Sequence, residues 1–275
     1  MNGFITEPEV ELVGKPVMEI GGVMKFLEDH GLVWPELEDK LSTMTSLGDD
    51  DGEWLVEMAA RLCYMSWAKE GGTIKSRCHE DHIKHLVEVG HGACIEHCNM
   101  SFVIWNVSRS LTHELVRHRI ASYSQLSQRY VDSSGVCFIV PPAIQELSKD
   151  DPDIYREWVS HCEQSRQLYE KLTGRLSEMY SDVESGLERR KMARQAARSV
   201  LPNATETKIF VTMNARAVRH LIELRASKFA DVEIRKLAVK MFRLMQDKAP
   251  LLVHGMEVLK LEDDTESVSS EHRRV

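Results

Sequence analysis

The densest group of polar and cationic side chains in this sequence is RHRIASYSQLSQRY, which spans Arg117 to Tyr130. Three arginines, one histidine and three serines fall within these fourteen residues. Guanidinium groups bind phosphate oxygens two at a time, and serine hydroxyls and loop amides complete such sites. The alternative is a solvated helix end, where cations interact favourably with the helix dipole. So many phosphate-binding residue types in one stretch favour an anion site.

On both sides of this stretch, hydrophobic periodicity predicts helices and strands. Met100, Phe102 and Ile104 alternate with a second face and predict a strand over 99–107, after which Ser108 or Ser110 caps a helix to His118. Further helices are predicted over 22–30, 53–67, 79–89, 150–179, 187–200, 214–225 and 230–247, and further strands over 136–140 and 207–213. The pattern indicates an α+β fold, with long helices around a small mixed sheet.

Composition limits the protein class. The 275 residues are 43% hydrophobic and 28% charged, which is typical of one large globular domain or two small ones. The sequence has no run of about 18 uncharged apolar residues and no secretory signal, so we expect a cytoplasmic protein without a membrane span. The six cysteines are then expected to be reduced thiols.

Charge is distributed unevenly along the chain. The net charge is −10 over residues 1–53, +5 over 54–260 and −3 over 261–275. A basic centre suits a phosphorylated ligand, but the excess is too small to favour duplex DNA. Prolines, glycines and the acidic turn at 49–52 predict an N-terminal extension over 1–52, followed by a catalytic domain over 53–260. The acidic residues 261–275 predict a disordered tail.

Several functional classes are excluded by missing motifs. The sequence lacks the glycine-rich turn of a Rossmann domain, the Walker A loop of ATPases and the nucleophile elbow of esterases. Histidines and cysteines crowd residues 78–98, but Cys94 and Cys98 are separated by three residues rather than two. His79, His82 and His85 also lie on a predicted amphipathic helix, so no metal site is predicted.

Four motifs in order resemble the flavin-dependent thymidylate synthases. Arg117-His118-Arg119, followed after seven residues by Ser127 and then by Arg129-Tyr130, is similar to that family's signature. The other matching segments, from about Glu53 to Pro250, are Gly90-His91 with Glu96-His97, Ala197-Arg198 before Val200-Leu201-Pro202, Asn214-Ala215-Arg216, and Leu224-Arg225-Ala226.

The resemblance implies an α/β homotetramer whose active sites are built from several subunits. It implies methylation of deoxyuridylate (dUMP) to thymidylate (dTMP), with the methylene group from 5,10-methylenetetrahydrofolate and electrons from NADPH through FAD. The sequence has no Pro-Cys dipeptide, where the unrelated classical thymidylate synthases keep their nucleophile. Covalent attack by an enzyme cysteine is therefore not implied.

The resemblance also implies roles for individual residues. Arg225 is the expected catalytic residue, because a guanidinium at the uracil edge stabilises negative charge at N3 and O2. The expected dUMP-binding residues are Glu114, Leu115, Val116, Arg117, Gln125, Leu126, Ser127, Gln128, Arg129, Arg198 and Arg225. The expected FAD-binding residues are His91, Ala93, Arg117, His118, Arg119, Gln125, Asn214, Ala215, Arg216 and His220.

Some positions depart from the family pattern, and two other functions stay open. The departures are Cys63, Ser124, Gln125, His220 and Phe229, where Ser, Asn, Glu, Asn and His are common. One alternative function is flavin- and folate-dependent methylation of uracil in RNA. The other is a non-enzymatic module that binds phosphate or RNA, although two tyrosines near the arginines offer little base stacking.

Overall fold

The computed structural model describes residues 3–43, 51–69 and 77–273. The helices are α1 (Ile20–Asp29), α2 (Pro35–Thr43), α3 (Asp51–Tyr64), α4 (His79–Glu88), α5 (Gly92–Ile95), α6 (Arg109–Leu115), α7 (Pro142–Asp150), α8 (Pro152–Met179), α9 (Gly186–Ala197), α10 (Ala215–Arg225) and α11 (Val232–Lys248). The strands are β1 (Phe4–Ile5), β2 (Glu9–Gly14), β3 (Leu32–Val33), β4 (Ala68–Lys69), β5 (Asn99–Ser108), β6 (Ser122–Gln125), β7 (Phe138–Ile139), β8 (Glu206–Asn214), β9 (Met256–Lys260) and β10 (Glu266–Ser270). The α+β prediction is confirmed.

The chain divides into two compact units. The first contains Met1–Glu9, Val103–Arg117 and Tyr123–Phe210, and the second contains Val10–Phe102, His118–Ser122 and Val211–Val275. The largest sheet has four strands in the order β2-β5-β8-β6. In the described ranges, no helix is both long and apolar enough to cross a membrane.

The first unit contains three successive helices, α7, α8 and α9, of which α8 packs against both neighbours. Asp151 Oδ1 accepts the backbone N–H of Ile154 at 3.1 Å, and Pro152 follows at the first helical position, which confirms the predicted start of α8. Cys162 and Tyr169 are buried, whereas Ile154 and Met179 at its two ends are exposed. Residues in the middle of α8 are therefore packed in the core, and its two ends are not.

In the second unit, tryptophans form the centre of one hydrophobic cluster. Its buried members are Met18, Val23, Leu27, Trp34, Leu37, Trp54 and Trp67. Asn214 caps α10, as predicted, because its Oδ1 accepts the N–H of Ala217 at 2.8 Å. Predicted strand β5 is confirmed as well, with Met100, Phe102 and Ile104 buried.

The boundary between the predicted extension over 1–52 and the predicted catalytic domain over 53–260 stays a prediction, and described residues on both sides of it share a sheet and a hydrophobic cluster. Strand β2 belongs to the same sheet as β5, and Trp34 shares its cluster with Trp54. Asp51 and Gly52, predicted as part of an acidic turn, lie in α3, and Asp49 and Asp50 fall outside the described residues. The prolines and glycines indicated turns, but buried apolar side chains between residues 10 and 43 belong to the second unit's hydrophobic cluster.

The prediction of a disordered tail over 261–275 is wrong for its described part. Strand β10 pairs antiparallel with β9, and Val268 is buried. The Arg235 guanidinium donates to Asp263 at 2.9 Å and to Thr265 at 2.8 Å. Buried Arg219 donates to the carbonyl of His272 at 3.3 Å. The acidic composition suggested disorder, but these arginines on α10 and α11 supply the partners that order the segment.

Candidate active site

In the first unit, the turn that follows β6 is held by main-chain hydrogen bonds. The carbonyl of Ser127 accepts the N–H of Val131 at 2.9 Å and that of Tyr130 at 3.3 Å. The Ser127 hydroxyl accepts the N–H of Arg129 at 3.3 Å. We call residues 126–133 the 126–133 loop. It brings together Leu126, Ser127, Gln128 and Arg129 of the expected dUMP residues.

A cavity of about 280 Å³ opens against this loop. Its lining includes Ser127 and Gln128, together with Glu206, Thr207 and Lys208 of β8, which were not predicted as site residues. The amide Nε2 of Gln128 is buried and has no hydrogen-bond partner among the described residues, although such donors are normally paired. A ligand that accepts a hydrogen bond would satisfy it.

Cationic side chains in the same unit come close to one another at Arg109 and Arg198. Burial lowers the pKa of Arg109, and the neighbouring positive charge of Arg198 lowers it further. Two half-buried guanidiniums repel each other, so an anion between or beside them is favourable. Arg198 was expected at the nucleotide; Arg109 was not, because a single Arg at the start of a helix carries no distinctive sequence signal.

The remaining expected dUMP residues differ in exposure. Leu115 is fully buried, and its carbonyl accepts the hydroxyl of Tyr123 at 2.9 Å. Glu114 is half-buried, whereas Val116 and Arg117 are exposed. Gln125 donates from Nε2 to the hydroxyls of Thr112 at 3.0 Å and Thr207 at 3.3 Å. Gln125 is therefore held in place by two threonines, a role that the sequence did not reveal.

In the second unit, Arg225 is paired with His118. Arg225 donates from Nε to His118 Nε2 at 3.1 Å, and the rings of His118 and His220 are 5.9 Å apart. Burial lowers the pKa of His118 to about 4, helped by the charges of Arg225 and His220. His118 is then neutral at pH 7, which its role as hydrogen-bond acceptor requires.

The expected FAD residues of the second unit occupy two places besides this group. Arg216 forms an ion pair with Glu96 at 2.6 Å, and the N–H of Ala215 donates to Cys98. His91 lines a cavity of about 600 Å³, together with Tyr64, Ser66, Arg77, His82, His85 and Cys94. Ala93 and Arg119 are exposed, and Asn214 is half-buried.

A buried ionic network lies behind this cavity. Glu57 is fully buried and is bonded to the imidazoles of His79 and His82 and to Arg61, which is also fully buried. Burial alone would raise the pKa of Glu57, but the hydrogen bonds from both histidines and the charge of Arg61 outweigh it and lower the pKa to about 2. Among the described residues, no group of three or more His, Cys, Asp or Glu side chains is placed to hold a metal ion.

His82 and His85 were missed as cavity residues, although their spacing was visible. Their sequence pattern predicted an amphipathic helix, and they were considered only as metal ligands. In the structure α4 directs both towards the cavity, where histidine and arginine side chains provide hydrogen-bond donors.

Comparison with known proteins identifies the family. The family model described as thymidylate synthase complementing protein matches residues 43–251. Over 221 residues, 80% of this chain and 86% of the relative, the chain is 48% identical to a flavin-dependent thymidylate synthase of Mycobacterium avium. It is 46% identical over 221 residues to the protein of that name from Mycobacterium marinum, with the same coverage. It is also 46% identical to a flavin-dependent thymidylate synthase of Mycobacteroides abscessus, over 217 residues that cover 79% of this chain and 84% of the relative. The predicted resemblance is confirmed: the chain belongs to the thymidylate synthase complementing protein family, with relatives that are flavin-dependent thymidylate synthases.

Proposed function

We propose that this protein is a flavin-dependent thymidylate synthase that methylates dUMP to dTMP. The methylene group comes from 5,10-methylenetetrahydrofolate and the electrons from NADPH. The observation that carries the proposal is the family match over residues 43–251 together with the Arg225–His118 pair. That pair holds a guanidinium in a defined orientation, as stabilisation of developing charge requires.

The residues present fit FAD. The cavity of about 600 Å³ is lined by one arginine and three histidines, which suit an anionic dinucleotide. We assign FAD to His91, Ala93, Arg117, His118, Arg119, Gln125, Asn214, Ala215, Arg216 and His220. Bound FAD would supply hydride transfer from NADPH to the one-carbon group.

The side chains of the protein bind the nucleotide and stabilise charge on it. We assign the dUMP phosphate to the 126–133 loop and Arg198, with Glu114, Leu115, Val116 and Arg117 leading into the nucleotide site. Ser127 acts there as a phosphate ligand. Its hydroxyl oxygen accepts the N–H of Arg129, and its O–H can therefore donate to a phosphate oxygen. Arg225 stabilises negative charge at N3 and O2 of the uracil, which makes C5 more nucleophilic.

Assembly and location are further parts of the proposal. We propose a homotetramer with active sites shared between subunits, in the cytoplasm, acting on small molecules rather than on nucleic acid. These assignments rest on the resemblance stated from the sequence.

The test is an absorbance spectrum of the purified protein followed by a turnover assay. We expect bound flavin, identified as FAD after denaturation, a spectral change on adding dUMP, and dTMP formation that requires both NADPH and methylenetetrahydrofolate. Methylation of uracil in RNA but not of dUMP would favour the first alternative. A colourless protein that takes up no added FAD and binds RNA with a steep salt dependence would favour the binding module.

A further inference from the structure

Arg194 on helix α9 contacts the 126–133 loop, whereas arginines repeated every four residues on a basic helix typically form a solvated face. Arg190, Arg194 and Arg198 are spaced by four residues on a basic helix. Arg190 is exposed, as such a face predicts, but the side chain of Arg194 is only 16% exposed. Its Nη1 donates to the carbonyl of Tyr130 at 2.7 Å, and its Nη2 donates to Asp132 at 3.3 Å.

These two bonds fall at the end of the turn that carries the expected phosphate ligands. Tyr130 and Val131 are the two residues whose N–H groups donate to the Ser127 carbonyl. Fixing the Tyr130 carbonyl therefore restricts the backbone that positions the Ser127 hydroxyl and the Arg129 N–H. The ammonium of Lys191, on the same helix, lies 5.2 Å from the centre of the Tyr130 ring and supports the same residue.

The far side of the loop is held by Tyr169 of helix α8. Its hydroxyl accepts the N–H of Ser133 at 3.1 Å and donates to Asp132 at 3.4 Å, and its side chain is fully buried. The pKa of Asp132 is lowered, since burial, which raises it, is outweighed by hydrogen bonds from Ser134 and by Arg194. Asp132 is therefore a carboxylate at neutral pH, and its bond to Arg194 is charge-assisted.

We propose that Arg194 is a positioning residue, which holds the 126–133 loop in the conformation that binds the dUMP phosphate. The inference rests on the proposed function, which assigns the phosphate to this loop. Without Arg194 the loop samples more backbone conformations before binding, so nucleotide affinity falls while the chemistry at the uracil is unaffected.

The test compares Arg194→Ala with Arg190→Ala, an exposed arginine one turn earlier on the same helix. Dissociation constants for dUMP and for deoxyuridine, which lacks the phosphate, are measured on the FAD-loaded protein from the flavin spectrum. We expect the dUMP constant to rise roughly 10- to 100-fold in Arg194→Ala, as for a charged hydrogen bond. We expect the deoxyuridine constant, the FAD content and the kcat at saturating dUMP to stay near those of wild type. Arg190→Ala should match wild type throughout.

A conservative variant guards against misfolding. Arg194→Lys keeps the charge but offers no planar pair of donors, so its dUMP constant should lie between those of wild type and Arg194→Ala. Unchanged dUMP affinity in both variants overturns the inference, and so does an equal loss for dUMP and deoxyuridine, which would mean general disruption. A wild-type protein that binds no dUMP overturns the proposed function instead.

Discussion

The two candidate binding regions are held in place by different means. In the first unit the 126–133 loop is shaped by main-chain hydrogen bonds around Ser127 and by Arg194, which donates to the Tyr130 carbonyl and to Asp132. In the second unit the functional side chains depend on titratable partners: Arg225 on neutral His118, and His82 at the cavity on the Glu57 carboxylate. The free energy that holds the loop in place should therefore be spread over many contacts. In the second unit it should depend on a few ionisable groups.

The strongest test of this difference removes the buried negative charge of Glu57 in the second unit. Glu57→Gln removes the nearer of the two carboxylates that pair with fully buried Arg61, the other being Glu36 at 3.8 Å, so we expect a loss of about 3–5 kcal/mol in the free energy of unfolding. Urea unfolding at fixed protein concentration measures it. The control is Glu80→Gln, since Glu80 pairs with Lys84 on the surface and should contribute at most about 1 kcal/mol. Equal losses in the two variants would contradict the importance of the buried network.

The next largest effect is expected at Arg225. Arg225→Lys keeps the charge but loses the planar guanidinium, so reoxidation by dUMP with methylenetetrahydrofolate should slow by ~10²–10³. Anaerobic reduction by NADPH should change little. Stopped-flow absorbance measures both rates, with Arg243→Lys as control, because Arg243 is a surface arginine of the same unit paired with Glu266. If both rates of Arg225→Lys fall together, the residue maintains structure instead.

A smaller effect is expected in the loop, where several contacts share the work. Ser127→Ala should weaken dUMP binding by roughly 1.5–3 kcal/mol, the range for a charge-assisted hydrogen bond, and should leave measurable dTMP formation. Titration with dUMP and turnover at saturating dUMP check this. Ser148→Ala is the control, since Ser148 is exposed on α7 and its hydroxyl donates to the Gln145 carbonyl. Complete loss of turnover with binding unchanged would assign Ser127 a chemical role.

The pH dependence of His118 tests the second unit without any substitution. Because the pKa of His118 is lowered to about 4 from 6.5, the unfolded state binds more protons than the folded state between those values. The contribution of His118 to stability is therefore present above pH 6.5 and is lost as the pH falls towards 4. We expect the NMR signal of His118 to stay constant from pH 8 to about 6 and to titrate with a midpoint near 4. A midpoint near 6.5 would mean that burial and the charge of Arg225 do not act on the His118 imidazole.

Much of the fold follows from local rules that the sequence displays. The start of α8 depends on Asp151 and Pro152, the start of α10 on Asn214, and the buried face of β5 on strict alternation. Each of these signals involves residues within a few positions of one another. Strand β10 was not predicted, because arginines far away in the sequence, Arg219 and Arg235, bond to the residues on either side of it.

The candidate site also has features that the sequence revealed and features that it did not. The RHRIASYSQLSQRY stretch and the downstream motifs identified the family and the residue types that bind a phosphorylated nucleotide. They did not reveal Arg109, the cavity residues His82 and His85, or the part played by Arg194.

What the sequence by itself determined is therefore the family, the fold class and the chemical types in the site, because motif spacing and periodicity are local properties of the chain. Only the tertiary structure decided which of those groups are partners. Arg190 and Arg194 are both arginines and lie four residues apart on the same helix, yet only Arg194 bonds to Tyr130 and Asp132. The physical reason is that a hydrogen bond depends on distances and angles of a few tenths of an ångström and a few tens of degrees, which are set when distant segments pack together.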